Sequence, residues 1–298
     1  MELSVEKKGK ILQEIKTKRE NFSGSDAKFA VTLGISAAQF SRINSGELER
    51  VISDANWLSI ARKLSVNLSE NRKETIVKTP TLEYIYAQLE FCQTESKSGL
   101  FCDHSDIGKT VTARYYAGQN KNVAYIDCSR NKSKHEMVRA IAKAFGISTT
   151  GRYREIFEDL IFCLQSIENP LIILDEAGDL EYSAFLELKA LWNATEDYCG
   201  WYQMGANGLK RKMQLGIDYK RVGFAENFTR YGNRYQSVTP QTDKELKDFK
   251  TVQCAMYITA NAVDNKIDVM ATIVSCDYSM RRVATEVRKY NNSKKTTN

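Results

Sequence analysis

The chain has 298 residues, 42% hydrophobic and 27% charged, with a formal net charge of +6 and a pI near 8.8. That is enough apolar material for packed domains rather than a disordered chain, and no apolar run approaches the ~18 residues of a membrane span. Seven Cys without a C-x-x-C pair and only two His argue against a zinc site and for reduced thiols in the cytoplasm. The charged, amphipathic N-terminus lacks the apolar centre of a signal peptide, and the mild positive charge suits an anionic partner.

The first unit is expected over residues 1–70. Residues 26–44 read DAKFAVTLGISAAQFSRIN, a spacing that predicts a helix-turn-helix. Ala30 is small where two helices cross. Gly34 can take positive φ at the end of the first helix, Ile35 plugs the core, and Ser36 is a good N-cap for the second. Phe40 and Ile43 bury one face of that helix. Ala37, Ala38, Gln39 and Arg42 project outward, where a recognition helix meets the major groove. Gln39 suits an adenine edge, and Arg42 a guanine or a phosphate, so Ser36, Ala38, Gln39 and Arg42 are the candidate DNA contacts. The alternative is a small helical bundle that binds no nucleic acid. DANWLSIARKLSVNL supplies a further amphipathic helix. The segment resembles the helix-turn-helix domains of phage repressors. A polar stretch, 71–81, reads as a linker that ends near a Pro.

Residues 82–238 alternate helix and strand. A helix through LEYIYAQLEFCQT leads to the strand SGLFCD, and a helix from residue 109 leads to the strand NVAYIDCS. Then come SKHEMVRAIAKAFG, a helix over about 152–168, the strand in NPLIILDEAGDL, and CGWYQMGAN. This order predicts a parallel sheet covered by helices on both faces, an α/β fold.

The loop after the first strand ends in Gly108-Lys109-Thr110, the second half of the pattern G-x-x-x-x-G-K-[ST]. In such a loop the backbone N–H groups of Asp106, Ile107, Gly108 and Val111 and the helix N-terminus hold phosphate oxygens. Lys109 reaches the β/γ-phosphates, and the Thr110 hydroxyl binds Mg²⁺. About 65 residues on, four apolar residues end in Asp175-Glu176. Asp175 suits the metal and Glu176 a general base for the attacking water. Asn207, at the tip of the next strand, is placed to orient that water.

Asp103 stands where the pattern wants its first Gly. Positive φ at an Asp costs about 1 kcal/mol. Two carboxylates, Asp103 and Asp106, near a polyphosphate cost about 1–2 kcal/mol each. The expectation is a competent site with weakened affinity or slow turnover.

Beyond the strand that ends at Asn207, GLKRKMQLGIDYKR (208–221) reads as a basic loop in which Lys210, Arg211 and Lys212 could track a DNA backbone, or as a solvated charge run. SMRRVATEVRKY reads as a helix with Met280, Val283 and Val287 inward and a cationic outer face. It belongs to an expected helical lid over 239–298.

The succession of helix-turn-helix, phosphate loop, YIDCSRNKSKHEMVRAIAKAFG, LIILDEAGDL, sensor Asn, ENFTRYGNRYQSV and YSMRRVATEVRKY resembles the AAA+ transposition ATPases of the Mu phage B type, related to the IstB and TnsC groups. The resemblance implies ATP and Mg²⁺ as cofactors and largely sequence-independent binding to double-stranded DNA. It implies nucleotide-dependent homo-oligomers, as filaments or rings, and a transposase as partner. It also implies that Arg230 or Arg234 acts across a subunit boundary and that Arg281, or its neighbour Arg282, is the second sensor. The alternatives are an ATP-gated DNA-binding repressor with little or no hydrolysis, which Asp103 favours, and a helicase-loader relative.

Overall fold

The computed structural model describes residues 3–20, 22, 24–64, 66, 68 and 74–296. The end of the expected first unit (69–70), the first three residues of the expected linker (71–73) and the last two of the expected lid (297–298) lie outside them.

Four helices form the N-terminal unit: α1 (Val5–Glu20), α2 (Asp26–Leu33), α3 (Ala37–Asn44) and α4 (Asp54–Lys63). Their shared core contains Ile11, Ile15, Phe29, Leu33, Phe40, Ile43, Trp57 and Ile60, all nearly free of solvent. The α2–α3 corner forms as its residues dictate. Gly34 sits at φ 78°, and its N–H closes back onto the carbonyls of Ala30 and Val31. Ser36 caps α3 by accepting the Gln39 N–H.

The chain then enters α5 (Pro80–Thr94), capped by the Thr79 hydroxyl with Pro80 in its first turn. Thus the helix begins inside the expected linker. After it come β1 (Ser98–Cys102), α6 (Lys109–Gln119), β2 (Val123–Asp127), α7 (Lys134–Ala144), α8 (Tyr153–Ser166) and β3 (Leu171–Asp175). A 3₁₀ turn at Ala177–Asp179 precedes α9 (Tyr182–Ala194), β4 (Gly200–Gly205), α10 (Asn207–Asp218) and α11 (Phe224–Arg230). The four strands are parallel in the order β1-β4-β3-β2. Alternate strand residues face opposite layers. Leu100, Ile126, Ile172, Leu174 and Trp201 pack with α7, α8 and α9, while Phe101, Ile173, Tyr202 and Met204 pack with α5 and α6. This is the predicted α/β architecture. Beside β1, Phe101 and Gln236 form an isolated parallel bridge.

Three helices complete the chain: α12 (Asp243–Asn261), α13 (Val269–Ser275) and α14 (Met280–Thr296). They enclose a small core of Cys254, Ile258, Ile273, Val283 and Val287. Among the described residues no helix is long and apolar enough to cross a membrane.

The segment expected as a basic loop after β4 is α10, a full helix. Leu209, Met213 and Gly216 form its buried stripe at i, i+4 and i+7.

Candidate functional site

The sheet order decides which expected residues meet. β4 lies between β1 and β3, so the loop after β1, the acidic end of β3 and Asn207 after β4 come together at the carboxyl ends of three adjacent strands. That edge is where open α/β sheets place their ligands.

Gly108 takes φ 99°, a conformation that requires glycine, and begins α6. Lys109 is buried, and its Nζ donates to the Asp103 carbonyl at 3.1 Å and the His104 carbonyl at 2.5 Å. The lysine thus closes the loop over itself. Burial lowers its pKa against the opposing charges of Asp103, Glu176 and Asp175. The Thr110 hydroxyl donates to Asp175 Oδ2 at 2.7 Å, across 65 residues. Asp175 is buried, and its other oxygen accepts the Glu176 N–H at 2.9 Å. Glu176 sits at φ 51°, a strained conformation for a non-glycine residue of the kind that collects at functional sites. Burial and the charge of Asp175 raise its pKa. The Ile107 side chain is buried in the core beneath the loop and Val111 is half exposed on α6, so these two can offer a ligand only their backbone.

Two expectations about the loop are corrected. Asp103 does not adopt positive φ; within the loop Asp106 does, at 64°, together with Gly108. Nor does the Asp103 carboxylate face the phosphate space. It is 2% exposed and accepts N–H groups from His104 at 2.7 Å, Val238 at 2.7 Å and Thr239 at 3.0 Å, and also the Thr239 hydroxyl. The carboxylate replaces the flexibility of a glycine with a clamp to the segment that leads into the lid. The Asp106 side chain is turned away as well. It accepts the Ser279 hydroxyl at 2.6 Å and the Arg281 N–H at 3.1 Å, with the Arg281 Nε at 3.6 Å. Arg281, the expected second sensor, therefore stands at the loop through Asp106. The Arg282 guanidinium instead donates to the Ser275 carbonyl at 3.0 Å.

Tyr125 on β2 was not singled out by its sequence context. Its hydroxyl donates to Asp175 Oδ2 at 2.8 Å, the oxygen that also receives Thr110. The Arg114 guanidinium lies 5.1 Å above its ring. A signal was present: β2 pairs with β3 in register, with Tyr125 opposite Ile173, two residues before Asp175. That pairing is tertiary information.

The remaining expected residues divide. Asn207 opens α10 and is exposed at the strand edge. Lys210 and Arg211, three and four positions on, share its face of the helix and are exposed. Lys212 points elsewhere. Its Nζ donates to the Gly178 carbonyl at 2.8 Å and to the Leu180 carbonyl, and lies over the Phe185 ring at 5.0 Å. It is a packing residue, which corrects its expected role as a DNA contact. Arg230 packs its guanidinium 5.4 Å from the Trp192 ring centroid, whereas Arg234 is exposed.

On α3, Ala38 and Arg42 are exposed as expected. The base-reading groups are engaged, however. Gln39 Oε1 accepts the Ser36 N–H at 3.0 Å in a capping box. Arg42 forms a two-pronged pair with Glu47 at 2.8 and 2.5 Å. Both pairings are exposed and therefore weak.

The chain matches the AAA domain family over residues 93–213. Among curated proteins it is 27% identical over 198 residues to the Mu-like prophage FluMu DNA transposition protein B of Haemophilus influenzae, covering 61% of this chain and 68% of that one. It is 24% identical to the ATP-dependent target DNA activator B of Escherichia phage D108, covering 69% and 62%. It is 26% identical to the protein of that name in Escherichia phage Mu, covering 53% and 50%. The chain thus spans only part of each relative's length. Among solved structures, the ORC1 protein of Aeropyrum pernix in complex with DNA superposes with a TM-score of 0.53 at 16% identity, over 76% of this chain and 62% of that one, a likeness of fold. The chain is thus similar to AAA-domain proteins over residues 93–213 and, more widely, to the transposition B proteins of Mu-like phages.

Proposed function

We propose that the chain is an ATP-hydrolysing, DNA-binding protein that assembles on target DNA and serves a transposase in DNA transposition. The observation that carries this reading is the 2.7 Å bond from the Thr110 hydroxyl to Asp175. It joins the phosphate loop to the acidic strand end where an ATPase needs them together. The curated names of the relatives, a DNA transposition protein and ATP-dependent target DNA activators, supply the transposition context.

The residues assign the chemistry as follows. Lys109 and the N-terminus of α6 hold the β/γ-phosphates. Thr110 and Asp175 form a hydroxyl–carboxylate pair that fits Mg²⁺, which uses few protein oxygens and completes its shell with phosphate and water. Bound there, Mg²⁺ supplies charge neutralisation of the phosphates. Glu176 accepts the proton of the attacking water, its basicity strengthened by burial. Asn207 orients that water. Arg281 senses the nucleotide from the lid. Arg234, exposed and past α11, reaches a neighbouring subunit's γ-phosphate in a homo-oligomer. Lys210 and Arg211 contact duplex DNA through its phosphates.

The repressor reading loses its support, because Asp103 faces the lid segment and not the phosphates. A phosphate-release assay with and without duplex DNA tests the proposal. Glu176→Gln should keep ATP binding and lose at least ~100-fold in turnover. Normal turnover in that variant would remove Glu176 from the mechanism, and no release by the parent chain would refute the ATPase assignment.

A further inference from the structure

A cavity of about 750 Å³ lies away from the phosphate loop, between the N-terminal unit and the ATPase core. One wall comes from α1, α2 and α4, the other from α6, β2 and the end of α7. Seven Lys and Arg side chains line it against two carboxylates, Glu14 and Asp127. The carboxylates are answered locally: Arg130 lies 3.5 Å from Asp127, and Glu14 acts on Lys18. Arg114 stacks over Tyr125. Lys28, Arg62, Lys63 and Lys143 have no ion-pair partner among the described residues, and the Lys63 ammonium donates only to the Leu33 carbonyl. Three of these belong to the N-terminal unit, while Lys143 is on α7 across the cleft. Burial and the charges of Lys143 and Arg62 depress the Lys63 pKa, a sign that the cations crowd one another.

The two walls also meet at a close backbone joint. Gly146, at φ 73° after α7, comes so near α2 that an added Cβ would lie 2.7 Å from the Lys28 carbonyl oxygen. Only glycine permits that approach, so the two basic walls meet at a backbone contact and not through mobile side chains alone.

We propose that this cleft binds the phosphodiester backbone of duplex DNA, so that DNA held by the N-terminal unit also touches the ATPase core. The inference rests on the DNA-binding reading above and adds a contact surface that neither α3 nor α10 supplies. A phosphate backbone provides the repeated anions that unpaired cations on facing walls require, and its contacts are independent of sequence.

The test is the salt dependence of binding to a labelled duplex by the full chain without nucleotide. In the variant Lys28→Gln/Lys143→Gln, the slope of log affinity against log salt should shrink by about 1.8, at about 0.9 per lost phosphate contact. Affinity near 0.1 M salt should fall by about tenfold or more. Arg62→Gln alone should shrink the slope by about 0.9. ATP affinity, DNA-free phosphate release and the thermal midpoint should stay at parent values. Parent-like slopes in both variants, with DNA binding intact, would overturn the cleft alone. A parent chain that binds no duplex either with or without ATP would overturn the cleft together with the DNA-binding reading.

Discussion

Asp103 and Thr239 are joined across 136 residues: the Asp103 carboxylate accepts the Thr239 N–H at 3.0 Å and its hydroxyl as well. With the Val238 N–H at 2.7 Å, this fixes the start of the phosphate loop to the strand-like segment before the lid. Asp103→Gly should therefore not restore a better loop. It strands three backbone donors, those of His104, Val238 and Thr239, and the hydroxyl of the buried Thr239. Hydrogen bonds to a charged group contribute about 1.5–3 kcal/mol each and are not additive, so a loss of about 2–4 kcal/mol is expected in urea unfolding, with weaker ATP binding. Unchanged stability and tighter ATP binding would show that the clamp is dispensable.

Tyr125 should act through Asp175. Its hydroxyl and that of Thr110 meet the same carboxylate oxygen, and loss of an outer partner of a metal ligand commonly costs ~10–100-fold in metal affinity. Burial and the Asp175 charge push the tyrosine's pKa up, so it remains a donor. In Tyr125→Phe, the Mg²⁺ concentration for half-maximal turnover should rise by roughly tenfold, with nucleotide binding in the absence of metal unchanged. An unaltered Mg²⁺ dependence would reduce Tyr125 to a packing residue.

The two candidate arginines should separate by readout. Arg230 lies over Trp192, a contact of about 0.5–2 kcal/mol, so Arg230→Ala should lower the thermal midpoint. Arg234→Ala should leave stability alone and reduce turnover of the assembled protein by ~1,000-fold or more. Mixing it with Glu176→Gln subunits would then restore some activity if each supplies what the other lacks at a shared boundary. No rescue in mixed assemblies would argue against action across subunits.

On α10, charge reversal at Lys210 and Arg211 should weaken DNA binding and leave the fold intact, since both are exposed. Lys212→Ala should do the reverse. It leaves the Gly178 and Leu180 carbonyls without their donor, a loss of about 1–3 kcal/mol. Equal effects of all three on DNA affinity would contradict this division.

The phosphate loop, the Asp175-Glu176 strand end and Asn207 were legible because each is a local pattern: an apolar run, a break and a polar residue at a fixed offset. Their convergence was legible from the alternation of helix and strand. What escaped the sequence was side-chain destination. Asp103 and Asp106 look alike as loop carboxylates, yet one faces residues 238–239 and the other the lid at Ser279, more than a hundred residues downstream. Tyr125 meets Asp175 only through strand pairing. Gln39 and Arg42 have outward positions as expected, but nearby partners at Ser36 and Glu47 compete for their polar groups. The 208–221 segment was readable as a helix from Leu209 and Met213, four apart; its charge density masked the periodicity.

The most direct single measurement is duplex-DNA affinity with and without ATP near physiological salt. If ATP sits between subunits, nucleotide binding and assembly are linked, and assembly multiplies weak phosphate contacts along one duplex. Affinity should then rise at least ~100-fold with ATP, independently of sequence, and the gain should vanish in Lys109→Ala. Equal affinity with and without ATP would contradict the coupling of the nucleotide site to DNA.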